Sequence, residues 1–189
     1  MLRLVRKGLI SRENAILVVI DVQEKLFPLI SDDGEKVLEN MRKLIQFAGI
    51  IGMPIVLTEQ YPKGLGPTIP EIRDLIPNIQ PVEKVEFSCF GSEEFKEIIK
   101  RLNAKSLIIV GIETHICVMQ TAIEGVKEGF KVCVVSDATS SRNPEDKRIA
   151  LERLRDNGII VASTEMLIYE LLKRAGTQEF RETLKLIKS

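Results

Sequence analysis

Ser106-Leu107-Ile108-Ile109-Val110-Gly111-Ile112-Glu113-Thr114-His115-Ile116-Cys117-Val118 is the stretch whose reading decides the fold. Its first five residues form an apolar run without alternation, the pattern of a strand covered on both faces. Beyond Gly111 the period changes: Ile116, Met119, Ile123 and Val126 recur at helical spacing, and Gly129 ends the stripe. Cys117 therefore falls near a helix N-terminus, just past the carboxyl end of a strand. Backbone N–H groups and the helix dipole favour a thiolate there.

The same alternation extends outward in both directions. Apolar runs at 15–20, 55–57 and 132–135 read as further buried strands, 159–161 as a shorter one and 81–85 as a weaker one. Between them, Val37, Met41, Leu44, Ile45 and Ala48 form a helical stripe that exits at Gly49, Gly52 and Pro54. Phe95, Ile98, Ile99 and Leu102 suggest another helix. Ile149, Leu151 and Leu154 suggest one opened by Asn143-Pro144 and closed at Asn157-Gly158. Strands alternating with helices predict a doubly wound α/β fold: a parallel sheet of about six strands with helices on both faces. At 189 residues, the expectation is one domain spanning 1–189.

Composition narrows the function classes. Lys+Arg 27 balances Asp+Glu 27 and no basic stripe stands out, so neither nucleic acid nor an anionic membrane is the expected partner. No apolar run approaches the roughly 18 residues a membrane span needs. The stretch Met1-Leu2-Arg3-Leu4-Val5-Arg6-Lys7-Gly8 lacks the apolar centre and cleavage site of a signal peptide. Three cysteines argue against a disulfide framework and for a cytoplasmic location.

In doubly wound sheets, ligands bind beyond the carboxyl ends of the strands where the strand order reverses. With the common order 3-2-1-4-5-6, the first and fourth strands are neighbours at that point. Asp21, which leaves the first, then converges with Cys117, which follows the fourth. His115, two positions from Cys117, projects from a different face and is poorly placed as its base. Asp21 can take that part if its surroundings tune its proton affinity, or it can merely cap the next turn. Lys84 is the candidate to hold the pair electrostatically, or else a solvated surface charge. Cys89 and Cys133 read as small buried hydrophobes. A Pro- and Gly-rich segment, 60–70, is either a lid or a rigid surface connection.

Asp21-Val22-Gln23, Lys84 with Phe87-Ser88-Cys89-Phe90, and Gly111 through Val118 together resemble the isochorismatase-like cysteine hydrolases. The match runs from about Ala15 through Tyr169, and the three motifs stand in order. Thr58-Glu59-Gln60-Tyr61-Pro62-Lys63-Gly64-Leu65-Gly66 is similar to the metal-free branch, whose members often have no assigned substrate. The resemblance implies a three-layer α/β/α domain and a catalytic triad of Asp21, Lys84 and Cys117. It also implies a cis peptide joining Ile112 to Glu113, with the N–H groups of Glu113 and Cys117 as an oxyanion hole. In such enzymes the thiolate attacks a carbonyl, commonly an amide, the aspartate carries the proton to the leaving amine, and water hydrolyses the thioester.

Two departures from the family pattern matter. Metal-bearing nicotinamidases carry Asp-x-His after the second strand, where this chain reads Glu59-Gln60-Tyr61, and its one histidine is His115. No metal and no cofactor are expected. Members that cleave the vinyl ether of isochorismate do not use a cysteine nucleophile, so Cys117 argues against that reaction.

The expected activity is hydrolysis of a small-molecule amide or related C–N bond. The alternative is a non-catalytic scaffold or small-molecule-binding protein on the same fold. Gln23, Phe27, Glu59, Tyr61, Leu65, Phe87 and His115 are candidate substrate-binding residues; each is either pocket lining or ordinary packing. Relatives are commonly homo-oligomeric. The tail residues Phe180, Leu184 and Ile187 offer an apolar edge, for a second copy or for the domain itself.

Overall fold

A computed structural model describes residues 8–31 and 33–188. The stretch read for a targeting signal therefore lies, up to Lys7, outside the described residues. In chain order the elements are β1 (Ala15–Ile20), α1 (Gly34–Ile51), β2 (Ile55–Gln60), the single turns α2 (Pro62–Leu65) and α3 (Pro70–Arg73), and β3 (Val82–Lys84). Then come α4 (Glu93–Arg101), β4 (Ser106–Ile112), a π-turn (Thr114–Val118), α5 (Met119–Lys127) and β5 (Lys131–Ser140). The chain closes with α6 (Pro144–Asp156), β6 (Ile160–Ala162), α7 (Thr164–Leu172) and α8 (Gln178–Lys188). The six strands form one sheet in the order β3-β2-β1-β4-β5-β6, and every pairing is parallel.

Alternation sorts β1 onto two cores. Ala15, Leu17 and Val19 pack in a cluster with α1, α7 and α8, whereas Ile16, Val18 and Ile20 pack with α4, α5 and α6. The same period of two sends Leu57 to the α1 side and Val56 to the α5 side. Helices on both faces explain why all six β1 side chains are buried and why the run reads as continuous.

Local chemistry fixes the helix ends. Asp33 caps α1 by accepting from the Lys36 N–H, Ser92 caps α4 and Ser163 caps α7. Asn143 caps α6 with Pro144 at its first position. In α7 the buried stripe is Thr164, Leu167, Ile168, Leu171 and Leu172, while Glu165, Met166 and Tyr169 face outward. α8 packs on α1, and Phe180, Leu186 and Ile187 lie half-buried against the α1-side core. That part of the tail's apolar edge is thus spent within its own fold.

Candidate active site

β1 and β4 lie side by side with Ile20 opposite Gly111, so Asp21 and the turn carrying Cys117 leave the sheet together. Continued as a strand, residue 21 would point to the α1 side. Asp21 instead adopts φ +52°, a left-handed conformation that Asp tolerates better than most residues. Its carboxylate thereby meets partners from the other face. Thr58 Oγ1 donates to Asp21 Oδ1 at 2.7 Å, and Lys84 Nζ donates to Oδ2 at 2.7 Å. Thr58, Gln60 and Lys84 share the parity of Val56 and Val82 and so project to the α5 side, where Cys117 and Cys89 are buried.

The Asp21–Lys84 ion pair is completely enclosed, both side chains being 0% exposed. Lys84 Nζ also donates to Gln60 Oε1 at 2.7 Å and approaches the Glu86 and Phe87 carbonyls at 3.4 Å. Burial pulls the ammonium's pKa down, but the Asp21 charge and then the two neighbouring thiols outweigh it and leave the pKa raised.

Cys117 lies on the π-turn with 6% exposure, and its thiol points at Gln60 Oε1 across 4.0 Å. Burial pushes its pKa up, the Asp21 carboxylate pushes it further, and Lys84 opposes both. The helix-end thiolate expected from the sequence is therefore corrected. Desolvation and the Asp21 carboxylate together outweigh Lys84 and favour the thiol over the thiolate. Cys89 is also part of this neighbourhood: its N–H donates to Thr121 Oγ1 at 3.0 Å, and burial pushes its thiol up to about 11.

Several candidate binding residues have other duties. Gln23 is 0% exposed; its Nε2 donates to the Gln60 and Gly66 carbonyls, and its Oε1 accepts from the Gln60 N–H. It clamps backbone and has no amide group left for a substrate. Glu59 has the opposite parity from Thr58 and Gln60, and its Oε1 accepts from both the N–H and the hydroxyl of Thr68. Phe27 packs on the α1 side, with its ring beside Gly34.

His115 Nδ1 is hydrogen-bonded with Ser141 Oγ at 2.9 Å, and its Nε2 lies 4.0 Å from Asp146, which ties the π-turn to the end of the β5 connection and to α6. The Glu113 carboxylate accepts from the Arg142 N–H at 3.0 Å, and the Ile112–Glu113 peptide is cis. Tyr61 and Phe87 remain more than half exposed beside Lys84: the Tyr61 N–H donates to the Lys84 carbonyl. Leu65 is half-buried in α2, its carbonyl accepting from the Lys25 N–H.

The segment 61–69 is a strap. Glu24 and Lys25 donate their N–H groups to Pro67 and Leu65, Ile69 donates to Val22, and Gln23 and Thr68 form an antiparallel bridge. These bonds favour the rigid connection over the mobile lid. Thr58 is a site residue that sequence reading passes over, although its parity with Val56 was available as a signal. Among the described residues no group of three or more His, Cys, Asp or Glu side chains gathers as a metal cage.

A depression at the amino end of the strands, lined by Asn14, Lys105, Phe130 and Lys131, lies at the opposite end of the sheet from this chemistry. No helix of the described residues is long and apolar enough to cross a membrane.

The Isochorismatase domain family matches residues 15–166 of the chain. Isochorismatase domain-containing protein 2A of Mus musculus is 39% identical over 181 residues, covering 96% of this chain and 86% of that protein. A solved structure described as MAR1 ribonuclease from Caenorhabditis elegans is 34% identical with a TM-score of 0.89, covering 96% of this chain and 93% of its own. The YcaC gene product of Escherichia coli, described as an octameric hydrolase of unknown specificity, is 25% identical with a TM-score of 0.86 over 96% of this chain and 88% of its own.

Proposed function

The chain belongs to the isochorismatase domain family of hydrolases, and from that premise we propose a metal-independent cysteine hydrolase that cleaves a small amide or related C–N bond. The observation that carries this reading is the enclosed Asp21–Lys84 pair beside Cys117. Replacing a buried ion pair with apolar residues is often neutral or stabilising, so a pair enclosed at a strand end speaks for chemistry rather than for stability.

Cys117 starts as a thiol. As Sγ forms its bond to the substrate carbonyl carbon, the sulfur's proton passes to the Asp21 carboxylate. Lys84 keeps its charge throughout and balances the negative charge as it moves from aspartate to oxyanion. The N–H groups of Glu113 and Cys117 receive that oxyanion. The C–N bond then breaks as Asp21 returns the proton to the departing nitrogen, leaving an acyl thioester. Water, giving a proton to Asp21, attacks the thioester; the C–S bond breaks and Asp21 reprotonates the sulfur.

The site does not favour the ribonuclease activity named for the nematode relative. The chain has no net charge, and the ammonium of the site is already paired with Asp21. A cytoplasmic location is supported by three unpaired, buried cysteines. Self-association is supported by the octameric E. coli relative, and light scattering of the native protein should return a multiple of the chain mass.

Iodoacetamide labelling with peptide mapping tests the chemistry. Cys117 should react at neutral pH at least tenfold faster than Cys89 and Cys133, because Asp21 rather than hydroxide takes the proton. Asp21→Asn should abolish that advantage. If Cys117 reacts no faster than the other two, the catalytic reading fails and the chain is a binding protein on a hydrolase fold.

A further inference from the structure

We propose that Gln60 is a positioning residue that acts through Lys84, holding the ammonium between Asp21 and the Cys117 sulfur. The proposal deepens the cysteine-hydrolase reading and rests on it.

The two ends of the Gln60 side chain have different neighbours, and these fix its orientation. Nε2 donates to the Val85 carbonyl at 2.7 Å, so Oε1 is the end that faces Lys84 Nζ, at 2.7 Å, and the Cys117 thiol, at 4.0 Å. Its backbone is equally constrained: Gln23 accepts from the Gln60 N–H at 2.8 Å and donates to the Gln60 carbonyl at 3.0 Å. A residue held at four polar atoms has little freedom to be anything but an acceptor at this spot.

The acceptor's charge matters. An ammonium has three donors. One goes to Asp21 Oδ2 and one to Gln60 Oε1, leaving the third for the two more distant carbonyls. Were Asp21 the sole near acceptor, nothing would keep the ammonium from following the carboxylate away from the sulfur. A second carboxylate at residue 60 would neutralise the ammonium and disfavour a thiolate. A neutral carbonyl oxygen restrains Lys84 without spending its charge. That charge is then available when the Cys117 proton moves to Asp21.

Other titratable groups near Cys117 have their own partners, Glu124 on α5 accepting from the Ser88 hydroxyl. Glu113 is bound by Arg142, and His115 by Ser141 and Asp146. Asp21, Lys84 and Cys89 are the titratable groups that act on the Cys117 sulfur.

The test is the pH profile of Cys117 alkylation in the full chain, with folding checked by circular dichroism. Gln60→Met, close in size but without the amide carbonyl, should move the profile to higher pH and slow labelling at pH 7 by roughly tenfold, the equivalent of one pK unit. Because Gln60 acts through Lys84, Gln60→Met combined with Lys84→Met should be no slower than Lys84→Met alone. Gln60→Glu keeps an acceptor but adds a charge, and should shift the profile upward as well. Should Lys84→Met not fold, the two Gln60 variants decide between themselves.

An unmoved profile in both Gln60 variants, or full additivity with Lys84→Met, overturns the inference while a fast wild-type Cys117 leaves the hydrolase reading intact. A slow wild-type Cys117 overturns the hydrolase reading itself.

Discussion

Gly111 shows how much one residue controls. It sits at φ +114° opposite Ile20, and an added Cβ would lie 2.1 Å from the Ile20 carbonyl oxygen and 2.7 Å from its nitrogen. These are backbone atoms of the residue before Asp21, so no side-chain rotation relieves the clash. Gly111→Ala should cost about 3 kcal/mol or more, or prevent folding, when unfolding is followed in urea. Gly52, the left-handed cap of α1, has nothing within 4 Å of the same added atom. Gly52→Ala should therefore cost only about 1 kcal/mol, the conformational penalty alone. Equal costs at the two positions would contradict this account of the β1–β4 approach.

Among elements, the strap at 61–69 connects β2 to the rest of the site, and Glu59 is one of its side-chain anchors. Thr68 is 0% exposed, and both its N–H and its hydroxyl donate to the Glu59 carboxylate. Glu59→Ala leaves two buried donors without that acceptor, so a loss of about 1–3 kcal/mol is expected. Hydrogen exchange at the Thr68 amide should be slow in the parent chain and fast in the variant. Fast exchange in the parent would mean that the strap opens and would revive the lid. Parity explains why Glu59 serves the strap while its neighbours Thr58 and Gln60 serve the site: adjacent strand residues face opposite sides of the sheet.

Across the whole molecule, three buried thiols link stability to alkaline pH. Burial pushes Cys89 up to about 11 and Cys133 up to about 12, and Cys117 is raised by the same cause. A raised folded-state pKa means that the native protein holds protons the unfolded chain releases. The thiol contribution is thus fully present below the ordinary thiol pKa and is lost as pH climbs through the folded values. Lys84, also raised, loses its contribution only above its own ordinary range. Urea midpoints should stay flat as pH rises to about 8.5 and decline steadily beyond it, and Cys133→Ala should flatten the decline. A midpoint that rises above pH 9 would have the wrong sign.

What the sequence determined by itself was whatever depends on neighbours along the chain. The six strands, the α1 stripe and the Asn143-Pro144 start of α6 were legible because burial on two faces and helix capping write local periodic signals. The proximity of Asp21 and Cys117 was legible once the strand order was assumed, since both leave adjacent strands at the same end. α7 was passed over although its signal is local too: Leu167, Ile168, Leu171 and Leu172 recur at helical spacing behind the Ser163 cap. The site's hydrogen bonding was decided by tertiary structure alone. Whether Gln23 and Glu59 touch a substrate or clamp backbone depends on partners some 9 to 43 residues away. Whether Cys117 rests as thiol or thiolate depends on a contest between desolvation, Asp21 and Lys84. That contest is set by distances in a closed interior, which no local pattern records.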